Sequence, residues 1–286
     1  MDGFIIIDKL QGISSAKAVA VVKRLTKAKV GHLGTLDPDA TGVLPVAIGK
    51  ATKLFDYLTF KQKKYIAEYT FGVSTDTLDA SGVVTDTTAI IPTKDMVLRA
   101  LSGFIGEIEQ LPPNYSALSI GGVRAYKLAR SGAEFNLAPR KVMIYNYQLL
   151  EQTEPNKYTF EILCGGGTYI RSLARDLGNV TGSLAIMSKL RRTQSGCFTL
   201  KNSVLLDTLK ESGQIDEYLL PIDYALTDLP RIDIDSEFYR QLSNGVKIPF
   251  NQQIDGKFVV YCNGTLFGIA VNNNDTLQME YNLYNG

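Results

Sequence analysis

Residues 31–50 read GHLGTLDPDATGVLPVAIGK, and this run decides how the rest of the chain is interpreted. Four glycines, two prolines, two aspartates and the only histidine of the protein fall within these twenty residues. Glycine permits positive φ angles and close backbone approach, whereas proline fixes φ and removes a donor. The run therefore predicts a rigid loop that presents Asp37, not a core helix or strand. An ordinary surface turn with an Asp-Pro step is the alternative.

The spacing of the run, GH-x-G-x-LDP-x-ATG-x-LP, resembles the active-site motif of the TruB-type tRNA pseudouridine synthases. These enzymes isomerise one uridine in the T-loop arm of tRNA. The resemblance implies that Asp37 is the catalytic aspartate and that His32 lies beside it in an RNA-binding cleft. A structural loop histidine is the alternative interpretation of His32.

The composition is that of an ordinary globular protein with room for one large and one small domain. The chain has 286 residues, of which 45% are hydrophobic and 21% are charged. No run approaches the roughly 18 apolar residues of a membrane span, and the N-terminal apolar run is too short for a signal peptide. We therefore expect a cytoplasmic protein without a membrane partner. Three scattered cysteines and one histidine predict neither a disulfide framework nor a metal site.

Charge is distributed unevenly along a chain whose net charge is only +1. Residues 204–286 carry 5 basic and 12 acidic side chains, and residues 1–203 carry 25 basic and 17 acidic ones. Binding to phosphates depends on a local basic face more than on total charge. The first 203 residues can therefore bind RNA, although a harmless asymmetry between two domains is the alternative.

The N-terminal segment predicts a buried strand at residues 4–7 and a helix at residues 16–27 that is capped by serine. The exposed face of this helix carries Lys17, Lys23, Arg24 and Lys27, for each of which a solvated side chain is the favoured interpretation. The turn between strand and helix, DK-x-x-G-x-SS, resembles a second family motif, with Leu10 where the family has proline. The resemblance places Lys9 among the RNA-binding residues.

A lysine-rich segment, residues 61–64, precedes a predicted strand at residues 65–71. Aromatic rings beside basic side chains suit an unstacked base, and core packing is the alternative. The resemblance implies that Tyr65 stacks on the target base.

A short helix is predicted at residues 52–60. The loop at residues 72–82 matches another family element and lacks the acidic twelfth ligand of a calcium loop.

A second strong match spans residues 110–118, QLPPNYSAL. A glycine pair at 121–122 predicts a hairpin turn, and residues 124–130 predict a short basic helix. The family has lysine where this chain has Ser119. Arg124 and Arg130 are expected on the RNA-binding surface, or on a solvated helix face. The preceding residues 93–101 predict an amphipathic helix with Met96, Val97 and Leu101 facing inward.

Residues 140–150 and 157–164 alternate as two neighbouring strands, and the second runs into GGGTYIRSLA. This glycine-rich turn lacks the lysine of a P-loop and the spacing of a dinucleotide fold. It resembles a family element, which implies that Tyr169 and Arg171 line the active site. Arg171 can then pair bidentately with Asp37 and keep it ionised. The LRR at 190–192 resembles the family's next element, which implies that Leu190 packs on the base and that Arg191 and Arg192 lie near the RNA backbone.

The acidic C-terminal part predicts a helix at 204–211, a linker at 221–230, a helix at 236–244 and three strands around an Asn263-Gly264 turn. This pattern resembles a small PUA-like β-domain. The expected fold class is α+β, with a mixed, largely antiparallel sheet flanked by helices and loops. The expected domains are residues 1–225, which are catalytic, and residues 226–286.

The resemblance implies that the chain converts uridine to pseudouridine at position 55 of tRNA, with the T-arm stem-loop as partner. The reaction neither adds nor removes atoms, so no cofactor and no metal are expected, and a monomer is expected. Asp37 acts either as a nucleophile or by removing a sugar proton, and the sequence leaves both open. The alternatives are a non-catalytic RNA-binding or RNA-folding protein and a synthase that acts on another RNA.

Overall fold

The computed structural model describes residues 1–59, 61–252 and 254–284. Within these ranges the large sheet is built from ten strands: β1 Gly3–Lys9, β2 Val30–His32, β3 Thr41–Ile48, β4 Lys63–Phe71, β7 Gly106–Gln110, β10 Arg140–Glu154, β11 Lys157–Cys164, β12 Ala185–Ser195, β13 Phe198–Thr199 and β14 Ser203–Leu205. Two small hairpins add β5 Val73–Thr75 with β6 Val84–Thr87, and β8 Ser119–Ile120 with β9 Val123–Arg124.

The helices of the described ranges are short and lie around the sheets. They are α1 Ser15–Thr26, α2 Phe55–Thr59, α3 Lys94–Leu101, α4 Ala125–Arg130, α5 Ile170–Val180, α6 Leu206–Ser212 and α7 Tyr239–Ser243. Six 3-10 helices join them: Gly49–Leu54, Ser102–Phe104, Leu200–Asn202, Ile215–Tyr218, Ile222–Ala225 and Ser236–Phe238. No helix in the described part of the chain is long and apolar enough to cross a membrane.

The large sheet has the order β14-β1-β3-β12-β4-β11-β10-β7, with β2 paired to β3 and β13 paired to β12. Among the strand pairs that the structure describes in this sheet, β1–β14 and β3–β12 are parallel and the others are antiparallel. The expected mixed, largely antiparallel sheet is therefore confirmed. Predicted strands at 4–7, 65–71, 140–150 and 157–164 all appear, as do the helices predicted at 16–27 and 124–130.

The run at residues 31–50 differs from its prediction, because half of it is strand. β3 is almost wholly buried and pairs with β1 from Gly42 to Ile48, so the loop is confined to residues 33–40. β3 was not predicted from composition, because Gly42 and Pro45 are residue types that strands usually lack. Proline lacks only the N–H group, and the Pro45 carbonyl still accepts a hydrogen bond of 2.9 Å from the Leu33 N–H. We call residues 33–40 the aspartate loop.

Helix α3 packs on the sheet through Val97 and Leu101, which are buried, as predicted. Met96 was expected to face inward, and this prediction is wrong: it is 38% exposed. Thr93 caps the helix by accepting a hydrogen bond from the Met96 N–H, so Met96 stands in the open first turn. The helix predicted at 52–60 is a 3-10 turn followed by α2, and its last residue, Phe60, lies outside the described ranges.

The C-terminal part forms a separate five-stranded sheet. Its strands are β15 Arg231–Ile234, β16 Ile248–Pro249, β17 Lys257–Cys262, β18 Thr265–Asn272 and β19 Thr276–Asn282, in the order β15-β17-β18-β19-β16. The predicted turn between β17 and β18 is confirmed, because Asn263 and Gly264 have φ angles of 50° and 72°.

Two C-terminal predictions need correction. The helix predicted at 204–211 starts at Leu206, since Val204 belongs to β14, which pairs with β1. The segment 221–230 was expected to be a linker, yet Ile222, Ala225 and Leu226 are buried in a cluster with Phe198. This cluster also contains residues of β17 and β18, so the segment is part of the packing that joins the two sheets.

Candidate active site

The aspartate loop connects β2 to β3 and is held from the side of β1 by Lys9. This side chain is 1% exposed, and its Nζ donates hydrogen bonds to the carbonyls of Leu10 (3.1 Å), Ile13 (2.7 Å) and Pro38 (2.9 Å). Burial lowers the pKa of Lys9 to about 8, although Asp37 and Asp39 oppose the change. Because its donors are used within the protein, Lys9 holds the loop beside Asp37.

Helix α1 fixes the same loop through Ser15. Its buried hydroxyl donates to the Leu36 carbonyl at 2.8 Å and accepts from the Leu36 N–H at 2.9 Å. The residue before Asp37 is therefore bound in both directions. The sequence identified the serines only as helix caps, and Ser14 does cap α1 by accepting from the Lys17 N–H.

Arg192 holds the loop from beneath and is 1% exposed. Its Nε donates to the Val43 carbonyl at 2.7 Å, its Nη2 to the Gly34 carbonyl at 3.0 Å and its Nη1 to the Thr35 carbonyl at 3.5 Å. The resemblance placed both arginines of this pair near the RNA backbone and did not indicate that Arg192 is buried and holds the loop. The alternation of β12 was the available signal, because Arg192 falls on the same buried face as Leu190.

The parallel contact between β3 and β12 brings two backbones unusually close. Gly42 pairs with Arg192, and a Cβ at position 42 would lie 2.1 Å from the Arg192 carbonyl oxygen. Gly42 also has a φ of 99°, which residues with side chains rarely adopt. Glycine is thus required where the chain leaves the aspartate loop and enters β3.

The Asp37 carboxylate lies 3.2 Å from the Arg171 guanidinium, measured from Oδ2 to Nη2. The other side of this guanidinium contacts Asp79, with 3.4 Å between Nη1 and Oδ2. Arg171 also donates to the carbonyls of Thr77 and Tyr115, both at 2.9 Å. The predicted bidentate pair with Asp37 is therefore wrong: one guanidinium, 8% exposed at its side chain, is shared by two carboxylates and two loops.

Asp79 is a member of the site that sequence reasoning recognised only as part of a supporting loop. Its Oδ1 accepts hydrogen bonds from the Thr77 hydroxyl (2.7 Å), the Ser81 N–H (3.0 Å) and the Ser81 hydroxyl (2.6 Å). These bonds fix its carboxylate against Arg171. The T-x-D-x-S spacing of residues 77–81 is typical of such a local turn, but it does not indicate that Asp79 contacts Arg171.

Burial raises the pKa of Asp37 above the ordinary carboxylate value. Arg171 and Lys9 oppose this rise, while Asp79 and Asp39 add to it. The side chain nevertheless keeps 41% of its surface open, because the carboxylate faces a cavity. Asp37 is thus a carboxylate that accepts a proton more readily than a surface aspartate and that a ligand can reach.

Two tyrosines from distant parts of the chain, Tyr65 and Tyr169, line the cavity. Tyr65 lies on β4, opposite Arg192 of β12, and burial raises its pKa to about 12, so its phenol is neutral at physiological pH. Tyr169 precedes α5 and is fixed by Gln110, whose side chain accepts from its N–H at 2.8 Å and donates to its carbonyl at 3.1 Å. Burial also raises the pKa of Tyr169.

The cavity has a volume of about 930 Å³, which is at the upper end of the usual range for ligand sites. Asp37, Tyr65, Tyr169, Arg171 and Leu190 all contribute to its walls. Arg130 also lines it, and α4 carries this arginine over the Tyr126 ring at 5.9 Å. The cavity combines apolar and aromatic walls with cations and three carboxylates, Asp37, Asp39 and Asp79. It can therefore hold a flat polar ring attached to a chain whose negative charge meets the cations.

Three further predicted site residues, Arg124, Arg191 and His32, are not among the described residues that line the cavity. Arg124 is exposed and donates to the Ala117 carbonyl at 2.6 Å. Arg191 forms an ion pair of 2.8 Å with Asp8. His32 lies on β2 and is not among the described residues that line the cavity; burial and then Arg192 lower its pKa, and its Nδ1 is buried without a hydrogen-bond partner in the described structure.

A metal site was not expected from the sequence. Across residues 1–59, 61–252 and 254–284, no group of three or more histidine, cysteine, aspartate or glutamate side chains has an arrangement suited to a metal ion.

Comparison with known proteins gives two family matches that together cover most of the chain. Residues 22–170 match the TruB family pseudouridylate synthase (N terminal domain), and residues 171–227 match the tRNA pseudouridylate synthase B C-terminal domain. A tRNA pseudouridine synthase B from Alkaliphilus oremlandii (strain OhILAs) is 39% identical over 289 residues, which cover 98% of this chain and 96% of the relative. One from Ehrlichia ruminantium (strain Gardel) is 44% identical over 258 residues, covering 88% and 87%.

Solved structures show the same fold. The chain superposes on a crystal structure of a Cbf5-Nop10-Gar1 complex with a TM-score of 0.75 at 24% identity, covering 99% of this chain and 85% of that one. An archaeal box H/ACA sRNP Nop10-Cbf5 complex gives 0.72 at 23% identity, covering 99% and 86%. The fold class expected from the sequence, including a small C-terminal β-sheet, is confirmed.

Proposed function

The chain belongs to the TruB family of pseudouridylate synthases, and from this premise we propose that it isomerises uridine to pseudouridine in the T-loop of tRNA, at position 55. The observation that carries the proposal is the meeting of Asp37, Arg171 and the two tyrosines around one cavity of about 930 Å³. The reaction breaks the N1–C1′ bond, turns the base and rejoins it through C5. Atoms are neither gained nor lost, so the residues of this chain suffice.

A uridine stacked inside an RNA loop must be extruded before Asp37 can reach it, at a cost of a few kcal/mol. The Tyr65 ring offers a stacking surface, and Leu190 and Met187 give the cavity an apolar wall. Arg130, an exposed cation that lines the cavity, is placed to contact a phosphate, and Arg124, which is exposed just before the same helix, adds positive charge to this segment. Stacking and phosphate contacts together offset the cost of extrusion.

Asp37 carries the chemistry in this proposal. As an ionised carboxylate it either adds to the sugar or the base, or removes a sugar proton to give a glycal-like intermediate. The raised pKa of Asp37 favours removal of the sugar proton, because a stronger base accepts a proton more readily. Arg171 positions the carboxylate and keeps a positive charge beside it.

The proposal also covers the RNA partner, the oligomeric state and the cellular compartment of the protein. The partner is the T-arm stem-loop of tRNA, the protein acts as a monomer, and its site of action is the cytoplasm, where its substrate is found. We divide the chain into a catalytic domain, residues 1–225, and a C-terminal domain, residues 226–286, with a PUA-like role in RNA binding.

The experiment is to incubate the purified protein with an unmodified T-arm stem-loop and to locate pseudouridine in the product. We expect a single modified position and no need for an added cofactor. Asp37→Asn should bind the RNA with little change in affinity but form pseudouridine at least about 1,000-fold more slowly, since the variant has no catalytic carboxylate.

Asp39→Asn is the matched control, because it removes a carboxylate two residues away in the same loop and should keep most of the activity. Binding without product by the unaltered protein would favour the non-catalytic RNA-folding alternative. Full activity of Asp37→Asn would eliminate the assignment of that residue.

A further inference from the structure

Helix α1 begins at the rim of the active-site cavity and leads away from it. Ser14, which caps the helix, and Gln11 in the preceding turn both line the cavity. The helix has twelve residues, so its axis extends about 18 Å from the rim. A ligand group that is bound in the cavity and belongs to a long polymer can therefore have the adjoining part of that polymer lie along α1.

The two faces of α1 differ sharply in chemistry. One face is buried through Ala18, Val21 and Val22. The opposite face carries three exposed cations, Lys17, Lys23 and Arg24, and a fourth, Lys27, is exposed at the C-cap that follows the last helical residue. At 100° per residue, the three helical cations fall within an arc of about 120°, and only alanines separate them on that arc. Residues 14–29 contain no aspartate or glutamate, so we call this group of four the α1 cation row.

The α1 cation row makes no ion pair with any residue that the structure describes. Elsewhere in the same ranges, exposed lysines do find carboxylates, such as Lys141 with Glu107 at 2.7 Å and Lys210 with Asp207 at 2.6 Å. Neighbouring like charges on a helix repel each other. Such a row instead attracts mobile counterions, whose release favours the binding of a polyanion.

We propose that the α1 cation row binds the sugar-phosphate backbone of the substrate RNA where its stem leaves the active-site cavity. This inference rests on the proposed function, because it takes RNA to be the substrate. It commits to RNA over an acidic protein, since the row starts at the cavity that receives the nucleotide and offers charge without apolar contacts. The row fixes where the stem lies and does not read its sequence.

The test compares two variants that each replace three lysines and one arginine. The α1 variant carries Lys17→Gln, Lys23→Gln, Arg24→Gln and Lys27→Gln. The control variant carries four glutamines in place of exposed cations that do not line the cavity: Lys94, Arg99, Lys141 and Lys201. Glutamine retains a good helix propensity, and both variants change the net charge equally. Thermal unfolding checks that each variant is folded.

Binding of full-length unmodified tRNA is titrated directly between about 50 and 300 mM salt. Each phosphate that the protein no longer neutralises should reduce the slope of log affinity against log salt by about 0.7–0.9. If two to four cations of the row each neutralise one phosphate, the α1 variant should bind roughly 10- to 100-fold more weakly near 0.1 M salt, and its slope should be lower by about 1.5–3. The control variant should keep a slope close to that of the unaltered protein.

Two double variants, Lys17→Gln with Arg24→Gln and Lys23→Gln with Lys27→Gln, serve if the fourfold variant does not fold. Each should show about half of the full change in slope. Equal slopes for the α1 and control variants would overturn the proposal. Because binding is measured without product formation, an unaltered protein that binds tRNA but makes no pseudouridine would overturn the proposed function and leave this test valid.

Discussion

Cations are used in opposite ways at the aspartate loop and at the contact between the two sheets. Beneath the loop, Lys9 and Arg192 are buried, and both donate hydrogen bonds to backbone carbonyls instead of pairing with a carboxylate of the described residues. At the contact, Lys61 lies near the surface and binds the Asp228 carboxylate at 2.5 Å while resting over the Tyr57 ring. Both regions join segments that are distant in sequence, but only the first does so without a carboxylate.

This difference follows from the position of Asp37. A carboxylate placed under the loop to neutralise Lys9 or Arg192 would repel Asp37 and raise its pKa further. Carbonyl dipoles hold the cations without adding negative charge. The buried positive charge then remains available to oppose the effect of burial on Asp37, as Lys9 does. At the surface contact no such constraint applies, and an ordinary ion pair suffices.

The largest expected effect of breaking this arrangement is that of Arg192→Met. The substitution leaves the carbonyls of Val43, Gly34 and Thr35 without their buried donor, and it should lower the free energy of unfolding by about 2–5 kcal/mol. Urea unfolding measures the change. The matched control is Arg231→Met in the C-terminal sheet, where the exposed arginine pairs with Asp233 and little change in the unfolding midpoint is expected. Equal losses in the two variants would remove the distinction between the regions.

The second prediction concerns pH, to which the stability contributions of Lys9 and Lys61 should respond differently between pH 7 and 10. Burial lowers the pKa of Lys9 from 10.5 to about 8, so between pH 8 and 10.5 the unfolded chain binds more protons than the folded one. The stability contributed by Lys9 should therefore rise with pH across that window, and Lys9→Met should lose this rise. Unfolding free energies of both proteins at pH 7, 8.5 and 10 measure it.

Lys61 supplies the contrast in the same experiment. Burial acts to lower its pKa, but hydrogen bonds to Asp228 and Tyr57 outweigh burial and raise it. The stability contributed by Lys61 is then complete below pH 10.5 and is lost only as pH rises through the folded pKa. The difference between unaltered protein and Lys61→Met should stay flat from pH 7 to 10, at about 1 kcal/mol or less for so exposed a pair. A slope like that of Lys9 would contradict this account.

The smallest expected effect is a shift in the pH profile of catalysis. Asp79 raises the pKa of Asp37, and activity in the proposed mechanism requires the ionised form. Asp79→Asn should therefore move the acid limb of kcat/KM to lower pH, since it removes a neighbouring negative charge. Asp39→Asn should shift the limb in the same direction by less, because Asp39 is the weakest of the groups that act on Asp37. A limb that moves to higher pH in Asp79→Asn would be incompatible with this electrostatic account.

Much of the fold could be predicted from the sequence, because local patterns carried it. The alternation of residues 157–164 gave β11 with the observed bounds, and the Asn263-Gly264 pair gave the turn between β17 and β18. Motif resemblance brought Asp37, Tyr65, Tyr169 and Arg171 to one site, and the structure places all four around the same cavity. Their catalytic roles remain predictions.

The features that were not predicted depend on contacts between residues that are distant in sequence. β3 was missed because Gly42 and Pro45 break the usual strand composition. Glycine is needed at position 42 because the Arg192 backbone lies against it, and the Pro45 carbonyl still bonds the Leu33 N–H. The sharing of Arg171 by Asp37 and Asp79 arises from three loops that meet in space. Sequence spacing can indicate that a residue is polar and buried, but it does not indicate which distant group it binds.

The close approach at Gly42 gives the glycines of the opening run unequal meaning. A Cβ at Gly31 would meet no atom within 4 Å, whereas one at Gly42 would collide with the Arg192 carbonyl. Position 31 therefore has space for a side chain, whereas at position 42 the Arg192 backbone sterically excludes any residue larger than glycine. A designer who transplants this run into a new scaffold must also transplant the strand that passes behind Gly42, because the loop alone does not encode its own shape.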